Sequence, residues 1–557
     1  MGMVNGGDIF VQALAKEGVR CVFGLCGGHV APIFNACLDS PVKLIDVRHE
    51  ASAAHAAAGW TRVTGEPGVV IATAGPGVTN TLTGIVDAYV AECPVIVIAG
   101  RAPLSQFDMG PLQDLDQPRL MASVTKWSKT IFDIKRIPEY VSAAFRKAQA
   151  DTPGPIFLEC PTDIMRHQVD ESEVVYTENR YSEQESGTSP ELIKQAINLL
   201  LAAERPVVVA GDGLFWAKAD QELREFVELT GIPVQTNSLA RGAVPEDHPL
   251  DFGRLSGALA DVVLTLGVKF DFRMAYGQPP AYRADAKFIQ VATDASTIGY
   301  NRAADLGIAA SPKGVLKQMI AEIKTASRKT NWAPWRDQLQ ALSAGMTQQR
   351  DQLYNADSLP IHPARLSKEV CDSLNKDAIV VTDGGDIASG WFYPWFKARE
   401  MGQILISGPF GCLGVGPGFA IAAKLAHPDK QVLLFSGDGS FGMNAMEFDT
   451  MVRHNLPVVA VIANDSAWGM VRHEHRLVYG ENRTDGTTLK PRQRYDKMIE
   501  ALGGYGEYVD RIEEIKPALA RAFASGLPAC VNVEVDPKPV SPLTSGWFNQ
   551  SLGGAKS

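Results

Sequence analysis

The sequence predicts an α/β protein built of three doubly wound domains, each with a parallel sheet. Short apolar runs such as VKLIDV, GVVIATA, PVIVIAG and QVLLFSG alternate with longer amphipathic stretches along the chain. These runs are apolar throughout, which is typical of strands that helices cover on both faces. Repeated strand–helix units of this kind fold into α/β domains. Two polar segments interrupt the pattern and divide the 557 residues into three parts of similar size.

The polar interruptions set the predicted domain boundaries. The first, at about residues 169–190, is acidic and aperiodic, and the second, at about 325–360, is rich in Gln and Ser. Both compositions indicate linkers on a surface. The Pro and Gly content of the C-terminal tail argues against a helix there, whereas Trp547 and Phe548 argue against a fully solvated coil. The predicted domains and the tail are 1–170, 190–325, 360–535 and 536–557.

Composition excludes several classes of protein. Hydrophobic residues make up 45% and charged residues 21%, which is ordinary for a folded globular chain. The net charge of −10 disfavours nucleic acid and anionic membranes as partners, since both attract basic surfaces. The chain has no apolar run of about 18 residues and no signal peptide at its start, so no membrane helix is expected. Its 8 scattered cysteines are typical of reduced thiols, and we expect a cytoplasmic protein.

A possible metal and phosphate site lies in the third part of the chain. The run QVLLFS leads into Gly437-Asp438-Gly439-Ser440, and the next run, PVVAVIAN, leads into Asp465. Because parallel strands end at the same edge of a sheet, these polar residues should meet where such folds bind ligands. Carboxylate oxygens suit Mg²⁺, and glycines let backbone N–H groups approach a phosphate. A second GDG, at residues 211–213, has no comparable partner and predicts a plain strand-to-helix turn.

Three sequence stretches together resemble the thiamine diphosphate-dependent enzymes. The GDGS…ND pattern is similar to the diphosphate-binding signature of that family, although the family usually has Asn where Asp465 stands. DVRHEASAAHAAAGWTRVTG and GPFGCLGVGPGFAIAA resemble cofactor-contacting stretches of the acetolactate synthase and acyl-CoA lyase branch. The resemblance implies a pyrimidine-binding first domain, a nucleotide-binding-like middle domain, and a third domain that binds diphosphate and metal.

The resemblance also implies roles for individual residues. Glu50 would hydrogen-bond the aminopyrimidine ring, so that the pyrimidine amino group can remove the thiazolium proton. Asp438, Asp465 and the carbonyl group of Ala467 would bind Mg²⁺. The carbonyl group of Gly411 would receive the amino group. The other contacts with thiamine diphosphate are assigned to Gly385, Asp386, Ile387, Leu413, Gly439, Ser440 and Asn464.

Family resemblance further implies an oligomer and a bound nucleotide. In these enzymes the first domain of one subunit meets the third domain of another, so a homodimer or homotetramer is expected. The middle domain binds ADP or coenzyme A in the acyl-CoA enzymes and FAD in acetolactate synthases. ARGAVPEDHP and YGQPPAYRADAKFIQV resemble the acyl-CoA enzymes, whereas LGVKFDFR also resembles an acetolactate synthase stretch whose Arg holds a carboxylate. The candidate phosphate contacts are Lys269, Arg273, Arg283 and Arg302.

Two positions bear on the substrate. Gln113, in MGPLQDLDQ, resembles a position in 2-hydroxyacyl-CoA lyases from which an amide could hydrogen-bond substrate, although acetolactate synthases carry a similar stretch. Glu474, in WGMVRHEHRLVYG, stands where acetolactate synthases place a Trp that shapes their 2-ketoacid pocket. These features favour a lyase that cleaves a 2-hydroxyacyl-CoA to formyl-CoA and a ketone or aldehyde. The alternatives are a 2-ketoacid carboligase of the acetolactate synthase type, an oxalyl-CoA decarboxylase, and a non-catalytic relative.

Two C-terminal features complete the predicted site. Gln493, in LKPRQRYDKM, should lie at the start of a helix near the mouth of the site, where an amide cannot act as a base. The tail should form a lid through Trp547 and Phe548, because a carbanion intermediate needs protection from water.

Overall fold

The computed structural model describes residues 2–177, 185–325 and 331–553, with the side chains of the last helix described through 546 and at Phe548. The chain folds into two compact units. One comprises Met1–Tyr181, Asp357–Trp395 and Leu405–Ser557, and the other comprises Ser182–Ala356 and Phe396–Ile404. The first and third parts of the sequence therefore share one unit, and the middle part forms the other. The exact domain boundaries given above remain predictions.

The first part contains a six-stranded parallel sheet in the order β3-β2-β4-β5-β7-β6. A two-stranded antiparallel pair, β1 with β8, lies outside it. Its strands are β1 Met3–Asn5, β2 Cys21–Gly24, β3 Lys43–Asp46, β4 Gly68–Ala72, β5 Val95–Arg101, β6 Trp127–Thr130, β7 Ile156–Pro161 and β8 Gln168–Asp170. Its helices are α1 Gly6–Lys16, α2 Ala31–Cys37, α3 Glu50–Thr64, α4 Pro76–Val90, α5 Gln117–Met121, α6 Ile137–Gln149 and α7 Thr162–Arg166.

The middle part forms a five-stranded parallel sheet in the order β10-β9-β11-β12-β13. Its strands are β9 Pro206–Ala210, β10 Val234–Thr236, β11 Val262–Leu266, β12 Lys287–Ala292 and β13 Leu306–Ala309. Its helices are α8 Pro190–Ala202, α9 Asp212–Trp216, α10 Asp220–Thr230, α11 Arg254–Leu259, α12 Pro312–Thr325 and α13 Ala333–Tyr354. As predicted, the GDG at 211–213 is a strand-to-helix turn, since β9 ends there and α9 begins at Asp212.

The third part has a six-stranded sheet in the order β15-β14-β16-β17-β19-β18. The strands are β14 Ile379–Asp383, β15 Ile404–Ile406, β16 Val432–Gly437, β17 Val459–Asn464, β18 Tyr505–Val509 and β19 Ala529–Glu534. The helices are α14 Pro363–Cys371, α15 Gly416–Ala426, α16 Asp438–Asn444, α17 Glu447–Arg453, α18 Gly469–Tyr479, α19 Tyr495–Ala501, α20 Ile512–Ala524 and α21 Pro542–Gly553, with a π-helical turn at Gly385–Phe392. The predicted α/β class with parallel sheets is confirmed.

The structure corrects two predictions about polar segments. Much of the second expected linker is α13, a helix of 22 residues. The indole groups of Trp332 and Trp335 are buried and donate to the carbonyl oxygens of Ala203 and Pro206, both at 3.1 Å. These contacts attach the start of α13 to the middle unit, which explains why a Gln-rich sequence is ordered.

The tail is likewise helical, against the expectation from its Pro and Gly content. Pro542 is the first residue of α21, a position where proline is tolerated because that N–H needs no intrahelical partner. Ser541 and Thr544 are fully buried, and Phe548 is 5% exposed. The side chain of Trp547 lies outside the described residues.

Two further findings concern helix hydrophobicity and the cysteines. Within the described ranges, no helix is both long and apolar enough to cross a membrane. In the described part of the chain no cysteine forms a disulfide, and six of the 8 are buried.

Candidate active site

The candidate diphosphate site lies between the neighbouring strands β14 and β16 of the third sheet. After β14 the chain crosses to β15 on one side, and after β16 it crosses to β17 on the other side. Open α/β sheets bind their ligands at this kind of switch point. Gly384 follows β14 with φ +125°, and a Cβ there would be 3.2 Å from Ser440 Oγ and 3.4 Å from the Gly437 nitrogen. The loop after β14 therefore lies against the start of α16. Its backbone, with Gly439 and Ser440, offers N–H groups to an anion.

Asp438 and Asp465 form the centre of the site. Asp438 begins α16 after β16, and Asp465 follows the adjacent strand β17, so the sheet brings the two carboxyl groups together. Asp438 is 1% exposed, and neither of its carboxyl oxygens has a hydrogen-bond partner among the described residues. Burial and then the neighbouring Asp465 raise the pKa of Asp438, and burial raises the pKa of Asp465. A buried carboxylate without a donor, next to a second buried carboxylate, is costly unless a cation lies between them.

These residues fit a divalent metal ion that takes its remaining ligands from the backbone and from a bound molecule. In the described ranges, no group of three or more His, Cys, Asp or Glu side chains is arranged to hold a metal. A hard cation here would therefore use the two carboxylates, a carbonyl oxygen and oxygens of a bound ligand. Ala467 follows Asp465 by two residues, is buried, and its backbone pairs with Thr488; its carbonyl group as a ligand remains a prediction.

Glycines make room for this arrangement. A Cβ at Gly469 would be 2.6 Å from Asp465 Oδ2, and one at Gly439 would be 2.8 Å from the ring of Trp468. Any side chain at either position would push the loop away from the carboxylates.

A buried carboxylate that the sequence analysis missed holds the loop of Gly411 and Leu413. Asp383, the last residue of β14, accepts hydrogen bonds from the N–H groups of Gly414 at 3.2 Å and Gly416 at 2.8 Å. Burial raises the pKa of Asp383 to about 6. Gly411 is exposed with φ +73°, and Leu413 is half-buried beyond it. The signal was available in the sequence, because this Asp ends an apolar strand.

Glu50 is buried at the start of α3 in the first part of the chain. Its Oε2 accepts a hydrogen bond of 3.0 Å from Asn80 Nδ2, and its exposed fraction is 5%. A Cβ at Gly77 would be 3.6 Å from Glu50 Oε1. The carboxylate therefore lies at the edge of the first sheet where β4 leads into α4.

Glu447 positions the start of α3 and was also missed. Its carboxylate accepts hydrogen bonds from the backbone N–H of Arg48 at 3.1 and 3.2 Å and from Thr450 Oγ1 at 2.7 Å. Burial raises the pKa of Glu447. A side chain of the third part thus fixes the residues that precede Glu50. Among the described residues no hydrogen bond or ion pair joins Glu50 itself to Asp438 or Asp465.

Gln113 packs against Gly75 in the loop after β4, and that loop is held by Gln117, which the sequence analysis did not single out. The side chain of Gln117 accepts from the Gly75 N–H at 2.7 Å and donates to Glu159 at 2.7 Å and to the Gly100 carbonyl at 3.0 Å. A Cβ at Gly75 would lie 2.8 Å from the Gln113 carbonyl oxygen. Gln113 is half-buried with φ +61°. The structure therefore brings it to the same sheet edge as Glu50.

Asp386 was predicted to contact the cofactor, but its side chain is bound to other parts of the protein. The Asp386 carboxylate accepts from Trp391 Nε1 at 3.1 Å and from the Ser541 N–H at 3.0 Å, so it anchors the tail. Any contact of Gly385, Asp386 or Ile387 with a diphosphate is left to their backbone. On α18, Glu474 is exposed, whereas its neighbour His473 is buried with Nε2 3.9 Å from Asp386 Oδ2. Burial lowers the pKa of His473.

Asn464 and Gln493 contact each other through the Gln493 backbone. Asn464 Nδ2 donates to the Gln493 carbonyl oxygen at 3.1 Å, and Asn532 Nδ2 donates to the same oxygen at 2.8 Å. The Asn464 side chain therefore holds the loop before α19. Gln493 is half-buried and lies two residues before α19, as the predicted helix start requires. Its side-chain role remains a prediction.

The basic candidates of the middle unit have internal partners. Arg273 pairs with Asp271 at 2.8 Å and with Asp212, of the second GDG, at 3.0 Å. Arg283 pairs with Asp285 at 2.6 Å. Arg302 donates to backbone carbonyl groups and stacks on the ring of Phe288. Lys269 is half-buried. Phosphate contacts by these four residues remain predictions.

Family comparisons identify the class of protein. Three models of the thiamine pyrophosphate enzymes match in order: the N-terminal TPP binding domain over residues 4–120, the central domain over 193–319, and the C-terminal TPP binding domain over 383–533. The chain therefore belongs to the thiamine pyrophosphate enzymes. The predicted superfamily is confirmed, and the two faces of the site described above fall in its two cofactor-binding domains.

Individual relatives narrow the branch. The chain is 38% identical to a "Probable acetolactate synthase" of Mycobacterium bovis, over 97% of this chain and 98% of that protein. It is 30% identical to a "2-hydroxyacyl-CoA lyase" of Arabidopsis thaliana, over 96% of both chains. It is also 30% identical to "2-hydroxyacyl-CoA lyase 2" of Homo sapiens, over 95% of this chain and 90% of that protein. This is a thiamine diphosphate-dependent enzyme of the acetolactate synthase superfamily.

Proposed function

We propose that this enzyme is a 2-hydroxyacyl-CoA lyase that releases formyl-CoA and a ketone or aldehyde. The observation that carries this choice is Glu474, which occupies the position of the pocket-shaping Trp of acetolactate synthases. Val471, Glu474 and Val478 are exposed and fall on one face of α18 by their spacing. An apolar face with one carboxylate suits an acyl chain better than a small anion.

Charge supports the same choice. A 2-ketoacid carries its carboxylate next to the reacting carbonyl group, and a nearby Glu repels it. A thioester is neutral at its reacting carbonyl group, so the same Glu costs it little. Like charges brought together in a partly desolvated site are destabilising.

The residues described above would divide the work. Asp438, Asp465 and the Ala467 carbonyl group would hold Mg²⁺, and the N–H groups near Ser440 would hold the diphosphate. Thiamine diphosphate supplies a carbon nucleophile and then stabilises the charge left on the substrate carbonyl carbon. Glu50 would share a proton with the aminopyrimidine, because a buried carboxyl group can donate as well as accept. In the middle domain we propose ADP or coenzyme A as the ligand.

The complete site would lie between two subunits, so a homodimer or homotetramer is part of the proposal. Glu50 and the Asp438–Asp465 pair belong to one chain yet share no contact among the described residues. A site that needs both is completed if a second copy supplies one of them.

A second candidate is a 2-ketoacid carboligase, which the 38% identical relatives named acetolactate synthases favour. Oxalyl-CoA decarboxylase stays a more distant alternative. The two main candidates differ in product and in the nucleotide they carry.

The test uses purified enzyme with thiamine diphosphate and Mg²⁺, offered a 2-hydroxyacyl-CoA or pyruvate. The lyase proposal expects formyl-CoA and a colourless protein. A yellow protein with stoichiometric FAD that makes acetolactate would overturn it. Glu474→Trp should raise the ratio of pyruvate to 2-hydroxyacyl-CoA turnover, whereas Glu513→Trp, at an exposed acid of α20, should leave the ratio unchanged.

A further inference from the structure

His29 occupies the switch point of the first sheet. It lies in the loop after β2, and β2 is the neighbour of β4 in a sheet whose order reverses between them. Loops after two such strands form the crevice where open α/β sheets bind ligands. The imidazole spans this crevice, because His29 Nδ1 lies 3.1 Å from the hydroxyl oxygen of Thr73, in the loop after β4.

The ring is held by close packing as well as by this hydrogen bond. A Cβ at Gly100, near the end of β5, would come within 2.2 Å of His29 Cβ. A Cβ at Gly27 would come within 2.3 Å of Thr73 Cβ. Both contacts are below any normal separation, so glycine at each position is what lets His29 and Thr73 approach. Such close support is expected around a group that must be positioned accurately.

One ring nitrogen remains available for a ligand. Nδ1 is engaged by Thr73, whereas no partner of Nε2 is found among the described residues. The side chain is half-buried. Burial and then the charge of Arg166, which donates to the Gly28 carbonyl group at 3.0 Å, lower the pKa of His29. The imidazole is therefore neutral near neutral pH and can accept a proton.

His29 lies at the same sheet edge as Glu50, the carboxylate that activates the cofactor in the proposed function. A Cβ at Gly77 would be 2.8 Å from Thr73 Cγ2 and 3.6 Å from Glu50 Oε1. Thr73 thus lies between His29 and Glu50 at one sheet edge. Gln113, against Gly75, borders the same edge.

We propose that His29 is the catalytic acid–base residue at the reacting oxygen of the substrate. This rests on the proposed carbon–carbon cleavage. Neutral Nε2 takes the proton of the 2-hydroxyl group, and that oxygen forms the carbonyl group of the departing ketone or aldehyde. The electron pair of the broken bond remains on the former thioester carbon. His29 then returns its proton to that carbon, which leaves as formyl-CoA. The proton count balances without another reactant, and Gln493 cannot perform this step.

The test compares His29→Gln and His29→Ala with His167→Gln, an exposed histidine of the same domain. Each holoenzyme is assayed for 2-hydroxyacyl-CoA turnover and for exchange of the thiazolium proton with solvent deuterium. We expect both His29 variants to lose roughly 10²- to 10⁴-fold in turnover, the usual size of an acid–base contribution, while proton exchange stays at the wild-type rate. The control should match wild type in both.

Two results would overturn the assignment. Turnover within about threefold of wild type in His29→Gln places His29 outside the chemistry, since proton transfer is worth far more. An equal loss of proton exchange and turnover assigns His29 to cofactor activation or folding instead. Failure of the proposed function is distinguishable, because wild type itself would then fail to cleave the 2-hydroxyacyl-CoA.

Discussion

At the scale of single residues, the site depends on carboxyl groups buried for different purposes. Asp438 has no protein partner among the described residues and faces Asp465, an arrangement that favours a cation. Asp383 and Glu447 instead accept backbone N–H groups and fix the loops of the candidate site. Glu50 accepts only a side-chain amide in the described structure, which leaves one oxygen for the cofactor. The same functional group is therefore suited to bind a metal, to hold a loop or to move a proton according to what surrounds it.

Replacing Asp438 separates its cost from its function. Asp438→Asn should raise the thermal midpoint of the metal-free protein, because it removes a buried carboxyl group whose ionisation burial and Asp465 oppose. It should also abolish the stabilisation that Mg²⁺ and thiamine diphosphate give the wild type. That stabilisation is about 2.7 kcal/mol when the ligand concentration is 100 times its Kd. Thermal unfolding with EDTA and with both ligands measures the two effects. Asp429→Asn, at an exposed position, is the control, and equal ligand stabilisation in wild type and Asp438→Asn would exclude this metal site.

At the scale of elements, composition failed to predict two helices, α13 and α21, because their sequences are polar or rich in Pro and Gly. The tail helix α21 follows Ser541, whose N–H is bound by Asp386 on the π-helical turn. His473 of α18 lies beside the same carboxylate. The end of the chain is thereby attached to the loop that follows β14, at the edge of the candidate diphosphate site.

Removing the tail should reduce activity more than stability. Deletion of residues 541–557 takes away Phe548, whose burial is worth about 1.5–3 kcal/mol, and the N–H partner of Asp386. We expect a midpoint lower by only several degrees, retained affinity for thiamine diphosphate, and a marked loss of turnover because water reaches the site. Deleting 554–557 alone is the matched control. Full turnover in the longer deletion would show that the tail is no lid.

How far sequence reasoning reached differs between elements for physical reasons. The strands and the edge that carries Asp438 and Asp465 were predicted, because doubly covered strands are apolar and their ends face one way. Helix α13 was missed because its sequence is Gln-rich, although Trp332 and Trp335 at its start are large apolar groups that favour burial. On α18 the sequence drew attention to Glu474, yet His473 is the buried member, and only tertiary packing distinguishes adjacent helix positions. His29 was not predicted because no sequence motif marks it. Its neighbours in space, Thr73 after β4 and Gly100 of β5, are distant in the sequence.

At the scale of the whole molecule, Glu50 and the Asp438–Asp465 pair belong to one chain. No hydrogen bond or ion pair connects them within the described structure. The first and third parts share a unit through α3 and α15, where a Cβ at Gly59 would be 2.8 Å from Phe419 Cα. That contact fixes the two cofactor-binding domains to each other. In the proposed oligomer, Glu50 of one copy and the Asp438–Asp465 pair of another complete a shared site.

Mixed oligomers should reveal such sharing. Glu50→Gln and Asp438→Asn subunits are each inactive alone in this account. In a mixed dimer, one of the two shared sites receives Glu50 from one chain and Asp438 from the other, so activity returns. Co-expression with two affinity tags isolates the mixed species, and turnover is compared with each parent. No recovery in the mixed species would mean that each site is built from a single chain.

The most direct test of the central claim measures exchange of the thiazolium proton with deuterium in the wild-type holoenzyme and in Glu50→Gln. Glu66→Gln, at an exposed acid of the same domain that pairs with Arg20, is the control. The account predicts that Glu50→Gln slows exchange by roughly 10²- to 10⁴-fold, the range for a lost acid–base group, with affinity for thiamine diphosphate nearly unchanged. Exchange at the wild-type rate in Glu50→Gln would contradict the claim that Glu50 activates the cofactor.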